Sequence, residues 1–415
     1  LTVGINRFTW TVDNGPCTPG ITIDDVTVLV YDPNNGAANA GPDQDLCTPV
    51  TNGTLSAAAP IFPATGAWTL IQGSGSFANA NSPNTAVTGL STGVNIFQWT
   101  VDNGPCANPV TTDQVSITLY DQNNPLANAG PDQSLCTPVT SAVLVGSNLF
   151  DPAVGTWTVV SGTGTFVNAS DPNTTVNGLS VGENVFAWTV FNGPCANPLT
   201  VDEVSIFLFD SNNPTPDAGA DQNLCSVTIT TLQGSALISP ATGTWELLQG
   251  TGTITDPSDP NSTVTGLSVG VNQFSWLVFN GPCATGGGSD IVTVNVFDTG
   301  ALAANAGPDQ SICGALNTVN LSGNQPTAPA IGFWSVISGQ ATISDVNDPT
   351  ASITGLAVGA AVLEWSIDNG PCGATTDQVT ILIYDDAQAT AGAGPDQSLC
   401  LPVNTATMAG TAYSF

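Results

Sequence analysis

The chain repeats itself every 87 to 89 residues. Ala-Gly-Pro-Asp-Gln stands at Ala40, Ala129, Ala306 and Ala393, with Ala-Gly-Ala-Asp-Gln at Ala218. Asn-Gly-Pro-Cys stands at Asn14, Asn103, Asn192, Asn280 and Asn369. Tryptophan follows the same period in two series, Trp68, Trp157, Trp245, Trp334 and Trp10, Trp99, Trp188, Trp276, Trp365. A period of this length calls for one small supersecondary module used over and over.

Inside the module the apolar pattern has period two. Phe97, Trp99 and Val101 alternate with polar neighbours, and the same trio returns as Phe186, Trp188, Val190 and as Phe274, Trp276, Val278. Further on, Val115, Ile117 and Leu119 alternate with Ser116, Thr118 and Tyr120. Such alternation marks half-buried strands. The 44 glycines and 30 prolines interrupt the chain too often for long helices. About seven short strands per module predict an all-β chain, a tandem array of immunoglobulin-like sandwiches. The expected segments are a partial repeat at 1–36, full repeats at 37–126, 127–215, 216–303 and 304–389, and a second partial repeat at 390–415. Leu1 falls inside a motif, so the sequence reads as an excerpt with no leader peptide. Linkers of a few residues predict end-to-end packing into an elongated rod.

Composition narrows the function. There is no histidine and one basic residue, Arg7, against 32 Asp and Glu, for a net charge of -31. Without histidine, Ser-His and Cys-His catalysis and His-ligated metals are excluded. The charge repels nucleic acid and anionic membranes. No run of about 18 apolar residues suggests a membrane-spanning helix. The four glutamates, Glu183, Glu203, Glu246 and Glu364, occupy different places in different repeats. They form no recurring carboxylate pair of the kind glycoside hydrolysis needs. The chain reads as a non-enzyme.

Ten cysteines fall two to a repeat, and their number places the chain in an oxidising compartment. Pairing across linkers, Cys17 with Cys47 and Cys106 with Cys136, would use all ten. A final strand crossing the whole domain would separate those partners by nearly a domain length. A disulfide needs Cα atoms within about 7 Å. Pairing within repeats is therefore expected: Cys47 with Cys106, Cys136 with Cys195, Cys225 with Cys283, and Cys313 with Cys372. This assumes that both members lie at one pole of their sandwich.

Aspartate also recurs. Asp43, Asp132, Asp221, Asp309 and Asp396 precede the first strand. Asp24, Asp113, Asp202, Asp290 and Asp377 open the last strand, and Asp32, Asp121, Asp210, Asp298 and Asp385 close it. Clustered oxygens suit calcium, and Asp32/Asn34, Asp121/Asn123 and Asp210/Asn212 are the candidate ligands in the linkers. Turn formation explains the same residues. The tryptophans are expected in the core. Tyr120, Phe209 and Phe297 are expected outward, as a lateral contact or a sugar-stacking row. The sequons at Asn173 and Asn261 matter only in a host that glycosylates asparagine.

Ala-Asn-Ala-Gly-Pro-Asp-Gln-Ser-Leu-Cys, Val-Asp-Asn-Gly-Pro-Cys and Asp-Gln-Val-Ser-Ile resemble PKD-like and immunoglobulin-like repeats. Such repeats occur in giant surface adhesins of Bacteroidota, exported by the type IX system and in part linked to gliding motility. The Trp-Asp-Phe-Gly-Asp-Gly motif of typical PKD domains is absent; Trp157 is followed by Thr158-Val159-Val160. The resemblance implies a cell-surface stalk that extends a distal domain, with neighbouring repeats, and further copies of the chain, as its partners. Two other readings are a self-assembling extracellular fibre and an accessory carbohydrate-binding module of a secreted hydrolase.

Overall fold

A computed structural model describes residues 1–314, 318–387 and 390–411. The expected end of the fourth repeat at 389 lies outside the described residues. By internal contact the chain divides into two compact units, Leu1–Phe209 and Asp210–Phe415.

The first unit opens with an antiparallel hairpin, β1 (Gly4–Asp13) and β2 (Ile21–Val30). Arg7, the one basic side chain, pairs with Asp25 across it. A complete sandwich follows: β3 (Gln44–Cys47), β4 (Asn52–Ser56), β5 (Thr65–Gln72), β6 (Ser76–Phe77), β7 (Asn84–Thr88), β8 (Gly93–Asp102) and β9 (Val110–Tyr120). One sheet has the order β3-β9-β8-β5 and the other β4-β7-β6. All neighbours run antiparallel except β3, which lies parallel to β9. The same two-sheet topology recurs over 133–209 in the first unit, and over 222–297 and 310–384 in the second. The all-β, immunoglobulin-like expectation matches this architecture.

Each sandwich closes over paired tryptophans. Trp68 faces Trp99 in the β5–β8 register, with ring centroids 5.0 Å apart, and both rings are buried. Trp157–Trp188, Trp245–Trp276 and Trp334–Trp365 repeat the contact at 4.9 to 5.0 Å. The glycine two positions before the first tryptophan makes room for the second: a Cβ on Gly155 would come within 2.1 Å of the Trp188 ring. Phe97 and Val101 flank Trp99 on the same buried face, as period two requires.

Two aspartates set the direction of β3. Asp113 Oδ2 accepts the Ala40 N–H at 2.8 Å, and Asp43 Oδ1 accepts the Ser116 N–H at 2.7 Å. Asp202 and Asp132 repeat both bonds at Ala129 and Ser205, Asp290 and Asp221 at Ala218 and Thr293, Asp377 and Asp309 at Ala306 and Thr380. The leading segment is thereby pinned along β9 and runs with it. Cys47 consequently ends beside Tyr120, at the pole where the chain leaves the sandwich.

Candidate functional site

The structured feature that recurs outside the cores is the junction between consecutive sandwiches, and cysteine is its covalent part. Cys47 bonds Cys195, with Cα atoms 5.3 Å apart, and joins the sandwich over 44–120 to the one over 133–209. Cys225 bonds Cys372, with Cα atoms 5.1 Å apart, and joins the sandwich over 222–297 to the one over 310–384. Cys136 and Cys283 are also disulfide-bonded. Cys17, Cys106, Cys313 and Cys400 are free thiols.

This corrects the within-repeat pairing. Cys47 does not bond Cys106, nor does Cys225 bond Cys283 or Cys313 bond Cys372. Cys136 and Cys195 are each oxidised, yet Cys195 is held by Cys47. The reason is the parallel β3. Cys47 stands at the C-terminal end of β9, whereas Cys106 precedes the start of β9 at Val110. Ten residues of strand, about 34 Å, separate those poles. That is far beyond disulfide reach.

Around the bond the junction is packed. Tyr120, the last residue of β9, is 8% exposed. Its ring meets that of Phe191 edge-on at 6.2 Å. Gly193, the glycine of the next Asn-Gly-Pro-Cys loop, lies against the Tyr120 ring at φ +52°. In the same loop Asn192 Nδ2 donates to the Asp121 carbonyl at 2.9 Å. The second unit repeats the lock: Gly370 packs on Phe297, and Asn369 Nδ2 donates to the Asp298 carbonyl at 2.8 Å. The opening hairpin meets its neighbour likewise, through Gly104 on Tyr31 and Asn103 Nδ2 on the Asp32 carbonyl.

Tyr120, Phe209 and Phe297, expected outward, are all buried. They offer no sugar-stacking row and no lateral face. Neither the role of the Asn-Gly-Pro-Cys glycine nor that of the strand-end aromatic was recognised from sequence. The signal was present: Tyr or Phe followed by Asp stands at the end of each last strand or directly after it, at 31, 120, 209, 297 and 384.

The linker residues considered for calcium form closed turns. Asp32 Oδ1 accepts the Asn34 N–H at 2.8 Å. Asp121 Oδ1 accepts the Asn123 N–H at 2.9 Å and its side-chain amide at 3.2 Å. Asp210 Oδ1 does the same with Asn212, at 2.9 and 3.0 Å. Each aspartate spends an oxygen on its own turn, as short polar side chains do at loop starts. No group of three or more Asp, Glu or Cys gathers into a metal-sized cluster among the described residues. No helix among them is long and apolar enough to cross a membrane.

No family model matches the chain. Among solved structures, the I-band fragment I67-I69 of titin is similar at 15% identity and TM-score 0.29, over 63% of this chain and 98% of that one. Immunoglobulin domains 1-4 of Sidekick-1 are similar at 11% identity and TM-score 0.25, over 84% of this chain and 98% of that one. The PKD domain of the KIAA 1837 protein is similar at 30% identity and TM-score 0.19, over 22% of this chain and 91% of that one. From its own strand order and junctions, this chain is a tandem array of immunoglobulin-like β-sandwiches in which the two sandwiches of each unit are locked by a disulfide, an aromatic ring and an Asn-Gly loop.

Proposed function

We propose that the chain is a stalk segment of a large extracellular bacterial surface protein, holding a distal binding or anchoring domain away from the cell. The observation that carries this reading is the Cys47–Cys195 bond between consecutive sandwiches. A covalent bond between two consecutive modules limits bending and separation at their junction, which serves a spacer that must hold its length. Uniform acidity supports the same role, because 32 acidic residues against one basic residue keep such stalks from collapsing onto one another. The disulfides suit an oxidising, extracellular location. The likeness to repeats of Bacteroidota adhesins supports the bacterial surface as that location.

Electron microscopy of the oxidised full chain tests the reading. Four sandwiches in series give single rods of roughly 140–180 Å at strand dimensions. Compact particles would overturn it. Ordered bundles or fibres would favour self-assembly through the chain's own poles.

A further inference from the structure

We infer that the array bears mechanical load, and that its inter-sandwich disulfides carry tension past most of the strands that build the cores. The inference deepens the stalk reading and rests on it.

The argument is one of covalent connectivity. Cys47 and Cys195 are 148 positions apart, and Cys225 and Cys372 are 147 apart. Tension applied to the two ends follows the shortest covalent route. That route is Leu1–Cys47, across the first bond, Cys195–Cys225, across the second bond, and Cys372–Phe415. Everything between Cys47 and Cys195, and between Cys225 and Cys372, hangs from the route in closed loops and is not pulled straight.

The location of the strands decides what those loops protect. In the sandwich over 44–120, six of the seven strands, β4 to β9, lie inside the first loop. In the sandwich over 133–209, all but the last strand, Leu199–Phe209, lie inside it too. The second loop holds the same share of the sandwiches over 222–297 and 310–384. Each tryptophan pair, from Trp68–Trp99 to Trp334–Trp365, sits wholly within a loop. Cys195–Cys225 contains the strand Leu199–Phe209 and the strand Gln222–Cys225, so about half of it is strand already. Fully stretched it spans about 100 Å.

Pairing within a repeat would act differently. A Cys47–Cys106 bond would leave each linker and last strand as single covalent threads between independent domains. The observed offset links the two sandwiches of each unit twice, by backbone and by sulfur.

Force spectroscopy on the oxidised full chain, pulled from its termini, tests this. A sandwich freed to unravel adds a step of about 200–250 Å at roughly 3.4 Å per residue. With disulfides intact, none of the four sandwiches gives such a step before the tether breaks; with reductant present, all four do. Replacing the six disulfide-bonded cysteines, Cys47, Cys136, Cys195, Cys225, Cys283 and Cys372, together with Ser restores all four steps without reductant. Peptide mapping of the oxidised chain finds Cys47 linked to Cys195 and Cys225 linked to Cys372. Steps of 200 Å in the oxidised chain, or a mapped Cys47–Cys106 bond, would overturn the inference. The stalk reading fails separately, if microscopy shows compact particles.

Discussion

Gly193 rests directly on the ring of Tyr120, so close that a Cβ at Gly193 would stand 2.4 Å from both Cδ2 and Cε2. Two demands meet there. The backbone at φ +52° disfavours any side chain, and the contact with the neighbouring sandwich leaves no room for one. Gly178, in the same sandwich, has φ +75° and nothing within 4 Å of a Cβ. Gly178→Ala therefore isolates the backbone cost, about 1 kcal/mol. Gly193→Ala adds displacement of the Tyr120 ring, for a total of about 2–4 kcal/mol. Hydrogen exchange under denaturant, resolved to residues 133–209, reads both losses; equal losses would show that the ring contact contributes nothing.

The same ring gives the junction a pH dependence. Burial pushes the Tyr120 hydroxyl above the ordinary tyrosine range, and the Asp45 carboxylate adds to the effect. A group whose folded pKa is raised contributes stability that is complete below its unfolded value, near 10 for tyrosine. That contribution disappears as pH rises through the folded value. Junction stability is thus expected to be flat through neutral pH and to fall in strong alkali. Tyr120→Phe should flatten the alkaline limb of a pH series of unfolding midpoints. An unchanged limb would place the alkaline loss elsewhere.

The core glycines permit a test free of backbone strain. Gly155 has an ordinary φ, yet its Cβ would meet the Trp188 ring at 2.1 Å. Gly155→Ala is expected to cost about 3 kcal/mol by overpacking. Trp188→Phe alone leaves a cavity and also destabilises. Together the two changes relieve each other, so the double variant should cost less than the sum of the singles. Unfolding followed by tryptophan fluorescence measures all three; strict additivity would mean that the ring does not set the need for glycine.

The cores were legible and the junctions were not, for a physical reason. Phe97, Trp99 and Val101 advertise a buried face because alternation is a property of one strand. The direction of β3 is not. Four residues, Gln44–Cys47, carry no mark of parallel or antiparallel pairing, and the bonds that decide it, from Ala40 and Ser116 to Asp113 and Asp43, join positions 73 apart. Once that direction is misjudged, Cys47 is placed at the wrong pole. Periodicity could not correct the error. Both cysteine series share one period, so a pairing offset by any whole number of repeats fits equally well. Tyr120 misled by the same logic: alternation puts it outside its own core, and only the next sandwich buries it.

Comparing the four sandwiches isolates one more network. Asn184 is fully buried; its Oδ1 accepts the Thr163 N–H and the Ser180 hydroxyl, both at 3.0 Å. Its Nδ2 donates to the Ser180 carbonyl at 2.9 Å. It thereby ties two turns together beneath the sheet. Ser91/Asn95 and Ser268/Asn272 repeat the pair. In the fourth sandwich Ala357 and Ala361 stand at both positions, and Ala361 aligns with Ile381 as Asn184 aligns with Ile206. Both members have changed together, as a shared polar network demands, because a half-satisfied pair is worse than none. Asn184→Ala is expected to cost about 2–3 kcal/mol by stranding the Thr163 and Ser180 groups. Adding Ser180→Ala should recover about 1 kcal/mol of that loss. The double-mutant cycle, measured by hydrogen exchange in the sandwich over 133–209, reads the coupling directly; a coupling of zero would mean that Ser180 contributes nothing through Asn184.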